Sequence, residues 1–546
     1  MRWIRAISLR HFKRYRHIIS VFSKYGLKEF ASFVQAFRPI SPATAPRAQK
    51  KVAENLRLAL QDLGPTFIKG GQLLSSRGDL LPQVMIEELQ KLLDHVEPVD
   101  FSLIRGLIEE EYREQMESVF NFVEEEPLAS ASLAQVHKAQ LKNGQVVVLK
   151  VQRPGIARLI STDMDIFYDF AGALQDRISF LRAYNLSELV AEFDNDLKKE
   201  LDFELEGQNM RIVANNMNEF EGFKIPEVFW RYTTKKILCL EFADGFKVTE
   251  KEKLAKAGVD INNLALKLLD IYNKQIYIDG FFQADPHVGN IIIREDGLVQ
   301  IVDFGSIGKL DETMRKELAN LFFNFIFKEG EQATETLLMM GKQKPHTNFG
   351  ALKNDISALV ADYATMPPQY FSIGRGFLEL SRLAAKHSIE MPSAFTSVGR
   401  AFFLLDYLAK TLNPDFDYAS YLLNFASVLL YERLASDYSP AKIAHNIVET
   451  SNLVSNFPSR LSFFLEKLLK DEFHVIFRHE GLERMTESLE RAGFSIAISF
   501  TAAGFTFLGI LMYLAKFIFA AYLLSFFAFI LLAYLLYRML RKVNWR

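Results

Sequence analysis

The sequence predicts an α+β protein that ends in a helical hairpin within a membrane. The chain has 546 residues, which is too long for one small domain. Its middle alternates β-branched, strand-like stretches with stretches of helical periodicity, and its C-terminus contains one long apolar run. These observations predict several structural units, the last of which lies in lipid.

The apolar run extends from Gly493 to Tyr537 and carries a single charge, Lys516. A helix needs about 20 apolar residues to cross the hydrocarbon core, so the run is long enough for two spans. Because backbone polar groups must be hydrogen-bonded in lipid, we expect two helices, 493–514 and 517–537, although no Gly or Pro marks the turn. The alternative is a buried hairpin of a soluble protein, which the scarcity of charge disfavours.

The charges beside this hairpin predict its orientation. Four basic residues and no acid follow the run: Arg538, Arg541, Lys542 and Arg546. The positive-inside rule places this tail, 538–546, in the cytoplasm, and two spans return the chain to the side from which it came. We therefore expect the bulk of the protein at the cytoplasmic face.

The overall composition argues against two classes of protein, although local basic patches remain compatible with it. Lys and Arg total 64, Asp and Glu total 66, and the resulting net charge of −2 argues against a nucleic-acid-binding protein. The single cysteine, Cys239, excludes an intrachain disulfide framework and any multi-cysteine metal site.

The N-terminal segment is basic, with nine Lys and Arg and one acid in its first 38 residues. It has no uninterrupted apolar stretch of the kind found in a signal peptide. One helical stripe recurs at Ile4, Ile7, His11, Tyr15, Ile18 and Phe22. The stripe either lies on an anionic membrane surface or packs on the domain, and residues 39–46 (PISPATAP) are predicted to form a linker.

Strand signals and polar motifs occupy the middle of the chain. The predicted strands are Gln145–Gln152, Ile237–Phe242, Ile291–Ile293 and Leu298–Val302, the last two around a hairpin turn. Lys150 lies near the end of the first strand, and Asp303-Phe304-Gly305 directly follows the last. A further motif, Asp285–Asn290 (DPHVGN), precedes the hairpin.

A predicted helix over Glu188–Asn209 presents four acids: Glu200, Asp202, Glu204 and Glu206. Taken alone, these acids indicate a solvated helix face, and Lys150 alone indicates a lysine that reaches water from a strand end. The lysine strand, the Asp-x4-Asn loop, the hairpin and the DFG triplet in this order, however, resemble the protein-kinase fold, which implies a bilobal architecture.

The kinase resemblance implies ATP and Mg²⁺ as cofactors. Lys150 would contact the α- and β-phosphates, and Asp303 and Asn290 would supply oxygen ligands to Mg²⁺. Asp285 would orient the attacking hydroxyl or water, or accept its proton.

Two features differ from a typical kinase. Residues 127–135 read PLASASLAQ where a Gly-rich loop is usual, and Cβ atoms keep such a backbone further from phosphate. Upstream lies Lys69-Gly70-Gly71-Gln72, a KxGQ motif. With Glu200-Leu201-Asp202 (ExD) and a following Glu-x-x-Asn at 206–209, the chain resembles the UbiB/ADCK family of atypical kinases over nearly its whole length.

The family resemblance implies a role for each motif. Lys150 and Glu206 look like the kinase lysine–glutamate pair. The ExD acids would face the KxGQ segment, which in this family covers the site where a protein kinase binds its peptide. The implied catalytic residues are Asp285, Lys150, Glu206, Lys69, Gln72, Glu200 and Asp202. The implied nucleotide-binding residues are Ala129, Ser130, Ala131, Ser132, Lys150 and Glu241.

Two positions depart from the family. Gln283 and Val288 stand where the family has His and Pro. Gln283 can form hydrogen bonds but cannot become a cation, and Val288 lacks the fixed φ of proline. We interpret both as divergence at scaffold positions, with Asp285 and Asn290 intact.

The resemblance implies a membrane-anchored, kinase-like ATPase that supports ubiquinone (isoprenoid quinone) biosynthesis at the cytoplasmic face of a bacterial inner membrane, by ATP-driven handling of lipid precursors. Its expected partners are membrane lipids, quinone precursors and other quinone-biosynthesis proteins, with a homodimer left open. The alternatives are a kinase for a protein or a lipid-linked substrate and a pseudokinase scaffold.

The predicted division of the chain has seven parts. They are the basic segment and linker 1–46, the helical KxGQ extension 47–118, a kinase-like N-lobe 119–243, a C-lobe with extra helices 244–490, the spans 493–514 and 517–537, and the tail 538–546.

Overall fold

The computed structural model describes most of the chain. The described residues are 11–26, 46–75, 81, 83–89, 91–92, 96–177, 186–344, 347–367, 372–414, 416, 418–437 and 482–540. Most of the predicted linker and of the basic tail lies outside them. The chain divides into two compact units, Met1–Tyr438 and Ser439–Arg546. The boundary between these two units falls within the predicted part 244–490, and the seven-part division stays a prediction.

The first unit begins with helices. They are α1 (Phe12–Lys24), α2 (Pro46–Leu63), α3 (Pro65–Ser75), α4 (Gln83–Leu89), α5 (Phe101–Tyr112) and α6 (Met116–Val119). A break separates α2 from α3 because Gly64 adopts a φ of +95° and Pro65 occupies the first helical position, which needs no N–H. The KxGQ motif therefore lies within α3.

The elements that follow carry the first sheet. They are β1 (Phe120–Val123), β2 (Ala129–Ser130), β3 (Ala134–Leu141), β4 (Val146–Gln152), α7 (Ile156–Arg177), α8 (Leu186–Glu200), α9 (Phe203–Asn216), β5 (Phe223–Lys224) and β6 (Ile237–Glu241). The sheet is antiparallel in the order β1-β3-β4-β6, with β2 paired to β3. β4 is thus a central strand, which suits its β-branched sequence.

The predicted single helix over Glu188–Asn209 is wrong, because two helices occupy this stretch. α8 ends at Glu200, and Asp202 has an extended backbone (φ −106°, ψ 94°). The Asp202 carboxylate accepts a hydrogen bond from the N–H of Leu205 at 3.3 Å, so it is the N-cap of α9. Aspartate favours this capping position over a helix interior. The boundary between the two helices therefore lies inside the ExD motif.

The apolar stripe of α1 packs on the protein. Tyr15, Ile18 and Val21 are buried in one cluster with residues of α2, α3 and α4 and with Ile166 of α7. Arg14 forms an ion pair with the fully buried Asp163 of α7 at 2.7 Å. For the described part of the N-terminal stripe, packing on the domain is therefore the correct interpretation.

The remainder of the first unit combines short strands with helices. Its elements are β7 (Phe246–Lys247), α10 (Lys251–Lys256), α11 (Ile261–Asn273), β8 (Phe281–Gln283), β9 (Ile291–Ile293), β10 (Val299–Ile301), β11 (Ile307–Lys309), α12 (Glu312–Ile326), α13 (Gly330–Met340), β12 (Lys342–Gln343), α14 (Phe349–Thr365), α15 (Ile373–Lys386), β13 (Ile389–Glu390), α16 (Ser393–Leu412) and α17 (Tyr418–Asp437). The predicted hairpin is confirmed, since β9 and β10 pair antiparallel around Gly297.

The second unit contains a helical hairpin, α18 (Leu482–Leu514) and α19 (Ile518–Leu540). Within it, Gly493–Leu514 and Ile518–Leu535 are long and apolar enough to cross a membrane, and only 11% of each is buried. Lys516 supplies the turn by adopting a φ of +61°. The N–H groups of Lys516 and Phe517 bond to the carbonyls of Tyr513 and Met512, a Schellman motif in which lysine takes the position usual for glycine.

Candidate nucleotide-binding site

The site is built around Lys150 on the central strand β4. Side chains alternate across a strand, and here Val147, Leu149 and Val151 are buried in the apolar core on one face. Lys150 therefore points to the other face, where its side chain is only 16% exposed. A cation that is so far removed from water requires acidic partners.

Two carboxylates supply them. The Lys150 ammonium donates to both oxygens of Glu206, at 2.7 and 2.9 Å, and to Oδ2 of Asp303 at 2.9 Å. Glu206 lies in the first turn of α9, the helix that Asp202 caps. The ExD aspartate thus determines where the helix carrying the partner of Lys150 begins.

Asp303 follows β10 and is held from several sides. The N–H of Gly305 donates to its Oδ1 at 3.0 Å. The side chains of Glu206 and Asn209, one helical turn apart on α9, bond to the N–H and the carbonyl of Phe304 at 3.4 and 3.2 Å. The Glu-x-x-Asn motif therefore grips the backbone of the DFG triplet.

The charges of this cluster shift its pKa values. Burial opposes the charge on Lys150, but Asp303 and Glu206 outweigh it and raise the pKa of the ammonium above its ordinary value. Burial raises the pKa of the Glu206 carboxyl against the pull of Lys150. For Asp303, burial is outweighed by Lys150, the N–H of Gly305 and the more distant Lys69, which together lower the pKa of its carboxyl.

Gln283, the departure from the family pattern, is a buried part of this site. Its Nε2 donates to the backbone carbonyl of Asp303 at 2.6 Å, and its Oε1 accepts a hydrogen bond from the hydroxyl of Tyr272. Its own N–H donates to Oε1 of Gln275 at 3.1 Å. An amide can satisfy a carbonyl and a hydroxyl together, so no cation is needed here.

Asp285 and Asn290 lie on the loop between β8 and β9, and both are partly exposed. The carbonyl of Asp285 accepts from the N–H of His287 at 2.7 Å, and the carbonyl of Asn290 accepts from the N–H of Val302 at 3.0 Å. The second bond places Asn290 beside the residue that precedes Asp303. Val288, the second departure, packs partly against the main core.

The KxGQ helix reaches the same region. Lys69 forms an ion pair with Glu200 at 3.2 Å, and both side chains are mostly buried. Gln72 donates to the carbonyl of Leu92 at 3.2 Å. Asp202 caps α9 and lies 3.9 Å from Lys235. The predicted opposition of the two motifs is therefore seen directly for Lys69 and Glu200.

The Ala/Ser loop, residues 129–132, turns from β2 into β3 beside the end of β4. Ala129 is exposed, Ala131 is half-buried, and Ser130 and Ser132 are buried. The Ser130 hydroxyl accepts a hydrogen bond from Arg153 at 2.7 Å. The loop is thus anchored by Arg153, a residue that belongs to none of the predicted motifs.

Glu241 ends β6, opposite Val147 and three residue pairs from the Leu238–Lys150 pair. Its carboxylate accepts from Lys224 at 2.5 Å and from the N–H of Glu227 at 3.1 Å. The structure does not join this side chain to the Lys150 cluster, and a nucleotide-binding role for Glu241 stays a prediction.

The donor set around Asp303 fits Mg²⁺. Among the described residues, no group of three or more His, Cys, Asp or Glu could hold a metal alone. Mg²⁺, however, commonly binds one or two protein oxygens together with substrate phosphates. Asp303, whose side chain is 36% exposed, and the neighbouring Asn290 could supply such oxygens, and the ion would neutralise phosphate charge.

Comparisons with known proteins identify the family to which the chain belongs. Residues 91–337 match the ABC1 atypical kinase-like domain. The chain is 33% identical to "Probable protein kinase UbiB" of Marinobacter nauticus over 68% of its own length and 69% of that protein. The chain belongs to the UbiB/ADCK family of atypical kinases.

Two further comparisons add no activity. An uncharacterized protein of Synechocystis is 30% identical over 80% of this chain and 75% of its own length. The solved structure of Rv3197 with erythromycin, from Mycobacterium tuberculosis, is 22% identical with a TM-score of 0.44 and covers 68% of this chain and 98% of Rv3197. Family membership establishes the kinase-like domain, which implies nucleotide binding.

Proposed function

We propose that the chain is a membrane-anchored, kinase-like ATPase that uses Mg·ATP to handle isoprenoid lipid precursors in ubiquinone biosynthesis. The observation that carries the catalytic part is the sharing of Lys150 between Glu206 and Asp303. Phosphoryl transfer depends mainly on positioned positive charge, and this cluster holds a cation on a rigid strand beside a carboxylate suited to a metal.

The KxGQ helix favours hydrolysis over transfer to a protein. The ion pair between Lys69 and Glu200 connects the helical extension to the ExD motif. Lys69 also lies near enough to Asp303 to lower the pKa of its carboxyl. A helix in this place supports exclusion of a peptide substrate, so that water or a small acceptor is the more accessible nucleophile.

The hairpin supports attachment to a membrane. Its two apolar helices expose large side chains such as Phe500, Phe519 and Tyr522, an arrangement that suits lipid better than water. The proposal places the kinase-like domain on the cytoplasmic face, and the quinone pathway rests on the family resemblance. Extraction of the whole chain by high-salt and carbonate washes would contradict this part.

The test measures phosphate release from Mg·ATP by the full chain, in detergent and in anionic liposomes. We expect release that increases with liposomes and is lost in Asp303→Asn. Asp296→Asn is the matched control, because Asp296 is an exposed carboxylate in the β9–β10 turn that pairs with Arg294. Quinone content of cells that carry each variant should follow the same order.

Other results would identify the alternatives. Stoichiometric transfer of labelled γ-phosphate to a protein or lipid would indicate a kinase. Nucleotide binding without release or transfer, with quinone content unchanged by Asp303→Asn, would indicate a scaffold.

A further inference from the structure

The end of β4 joins three parts of the site through nearly consecutive residues. Lys150 enters the carboxylate cluster. Gln152 donates from Nε2 to the carbonyls of Leu201 and Lys235, at 2.5 and 2.9 Å, and so holds the centre of the ExD motif. The next residue, Arg153, forms hydrogen bonds with the Ala/Ser loop.

Arg153 is largely buried, with 8% of its surface exposed. Its guanidinium donates to the Ser130 hydroxyl at 2.7 Å and to the Ala131 carbonyl at 2.8 Å. It also donates to the carbonyls of Val96 and Glu97, at 3.2 and 2.8 Å. Within the described residues, Nε and Nη2 donate to these four oxygens and no acid pairs with the side chain, which is unusual for a buried cation.

The backbone of residues 96–99 contacts the same loop region as Arg153. The N–H of Val96 donates to the carbonyl of Ser130 at 3.2 Å, and the N–H of Val99 donates to Oε1 of Gln135 at 2.5 Å. Shortly upstream, the carbonyl of Leu92 accepts the hydrogen bond from Gln72. Leu92 therefore contacts the KxGQ motif, and residues 96–99 contact the Ala/Ser loop and the start of β3.

The composition of the loop makes such anchoring necessary. A glycine-rich loop can adapt its backbone to phosphate after the ligand arrives, whereas Ala and Ser restrict φ and ψ. A restricted loop must hold its binding conformation beforehand. A planar, forked donor that bonds several oxygens at fixed angles suits this task, and the single nitrogen of lysine does not.

We propose that Arg153 is the positioning residue that fixes the Ala/Ser loop for a nucleotide and couples the loop to the KxGQ helix. The proposal rests on the proposed function in one respect, since it takes the ligand of the loop to be a nucleotide. Arg153 acts through the loop and does not itself contact the reacting atoms.

The first experiment measures binding of a fluorescent ATP analogue with Mg²⁺ to the full chain in detergent. We expect Arg153→Lys, which keeps the charge but loses the fork, to bind about tenfold more weakly. Arg158→Lys is the matched control, because Arg158 is exposed on α7 five residues away, and we expect wild-type affinity. Wild-type affinity in Arg153→Lys would overturn the proposal.

Amide hydrogen exchange separates local positioning from a general loss of stability. Arg153→Lys should raise exchange in residues 96–99 and 129–135 and leave α11 and α16 unchanged. Uniform acceleration across the domain, or no change in these two segments, would overturn the proposal. If the wild-type chain bound no nucleotide, the proposed function would fail, and the exchange experiment would still decide whether Arg153 anchors the loop.

Coupling to the KxGQ helix requires a double variant. Gln72→Leu removes the donor to Leu92 and should raise exchange of the Ala/Ser loop in the wild-type background but add little in Arg153→Lys. Additive effects would refute the coupling. If Arg153→Lys fails to fold, Ser130→Ala removes one acceptor only. That variant should loosen residues 129–135 more than 96–99, and unchanged exchange there would count against the anchoring role.

Discussion

Replacing Lys150 with methionine should convert Glu206 into a buried acid without a cation. Glu206 is only 2% exposed, and Asp303, the other partner of Lys150, would then add a second negative charge nearby. Removing one partner of a buried ion pair costs about 3–5 kcal/mol of folding free energy. The carboxyl can limit this cost by taking up a proton.

That escape determines both the magnitude and the pH dependence. Protonating a glutamate whose ordinary pKa is about 4.3 costs roughly 3.7 kcal/mol at pH 7, and about 1.4 kcal/mol less for each lower pH unit. A folded-state pKa above the unfolded value stabilises the fold at low pH, and the stabilisation is lost as pH rises. We therefore expect Lys150→Met to be destabilised by about 4 kcal/mol at pH 7 and by about 1 kcal/mol at pH 5.

The assay is urea unfolding of the full chain in detergent between pH 5 and 8, followed by tryptophan fluorescence. The matched control is the double variant Lys150→Met, Glu206→Gln, in which an amide of the same shape replaces the acid. Its difference from wild type should change much less with pH. An equal pH slope in the single and double variants would refute the assignment of the effect to Glu206.

Three further predictions test separate features. Gln283→Leu should remove the hydrogen bond to the Asp303 carbonyl and lower the rate of phosphate release at least tenfold, whereas Gln283→His should retain most of the rate. Equal rates for the two variants would contradict the positioning role of Gln283. Gly71→Val should destabilise the extension by about 1–3 kcal/mol, since a Cβ there would lie 2.4 Å from the Leu92 side chain. A melting temperature equal to that of wild type would contradict this close packing. Lys516→Gly should stabilise the hairpin by about 1 kcal/mol by relieving the positive φ, as measured by thermal melting in detergent, and a lower melting temperature would contradict this.

Sequence order was sufficient to locate the main motifs of the site. A β-branched, apolar run predicts the strand that carries Lys150, and a turn signal between two apolar runs predicts the β9–β10 hairpin. The lysine–glutamate contact followed from resemblance and not from spacing, because 56 residues separate the two side chains. Distances between motifs far apart in sequence depend on how the helices and the sheet pack.

The sequence was less informative where one residue type serves two purposes. Helical periodicity places Asp202 inside one predicted helix, but in the structure its side chain caps the start of a new helix. Arg153 and Gln152 follow Lys150 directly and bond mainly to backbone carbonyls, which any residue provides, so no motif identified them. The apolar stripe of α1 has two interpretations from sequence, because apolar spacing is the same for a helix on lipid and a helix on protein.

The packing of α1 also has a consequence in time. Its partners Asp163 and Asp169 on α7 lie about 150 residues further along the chain. At about 5–20 residues per second, synthesis of that stretch takes roughly 8–30 seconds. Throughout this interval Arg14 lacks its carboxylate partner on α7, and only α2, α3 and α4 are available to cover the apolar stripe. The helix α1 therefore reaches its final packing only after α7 has been made.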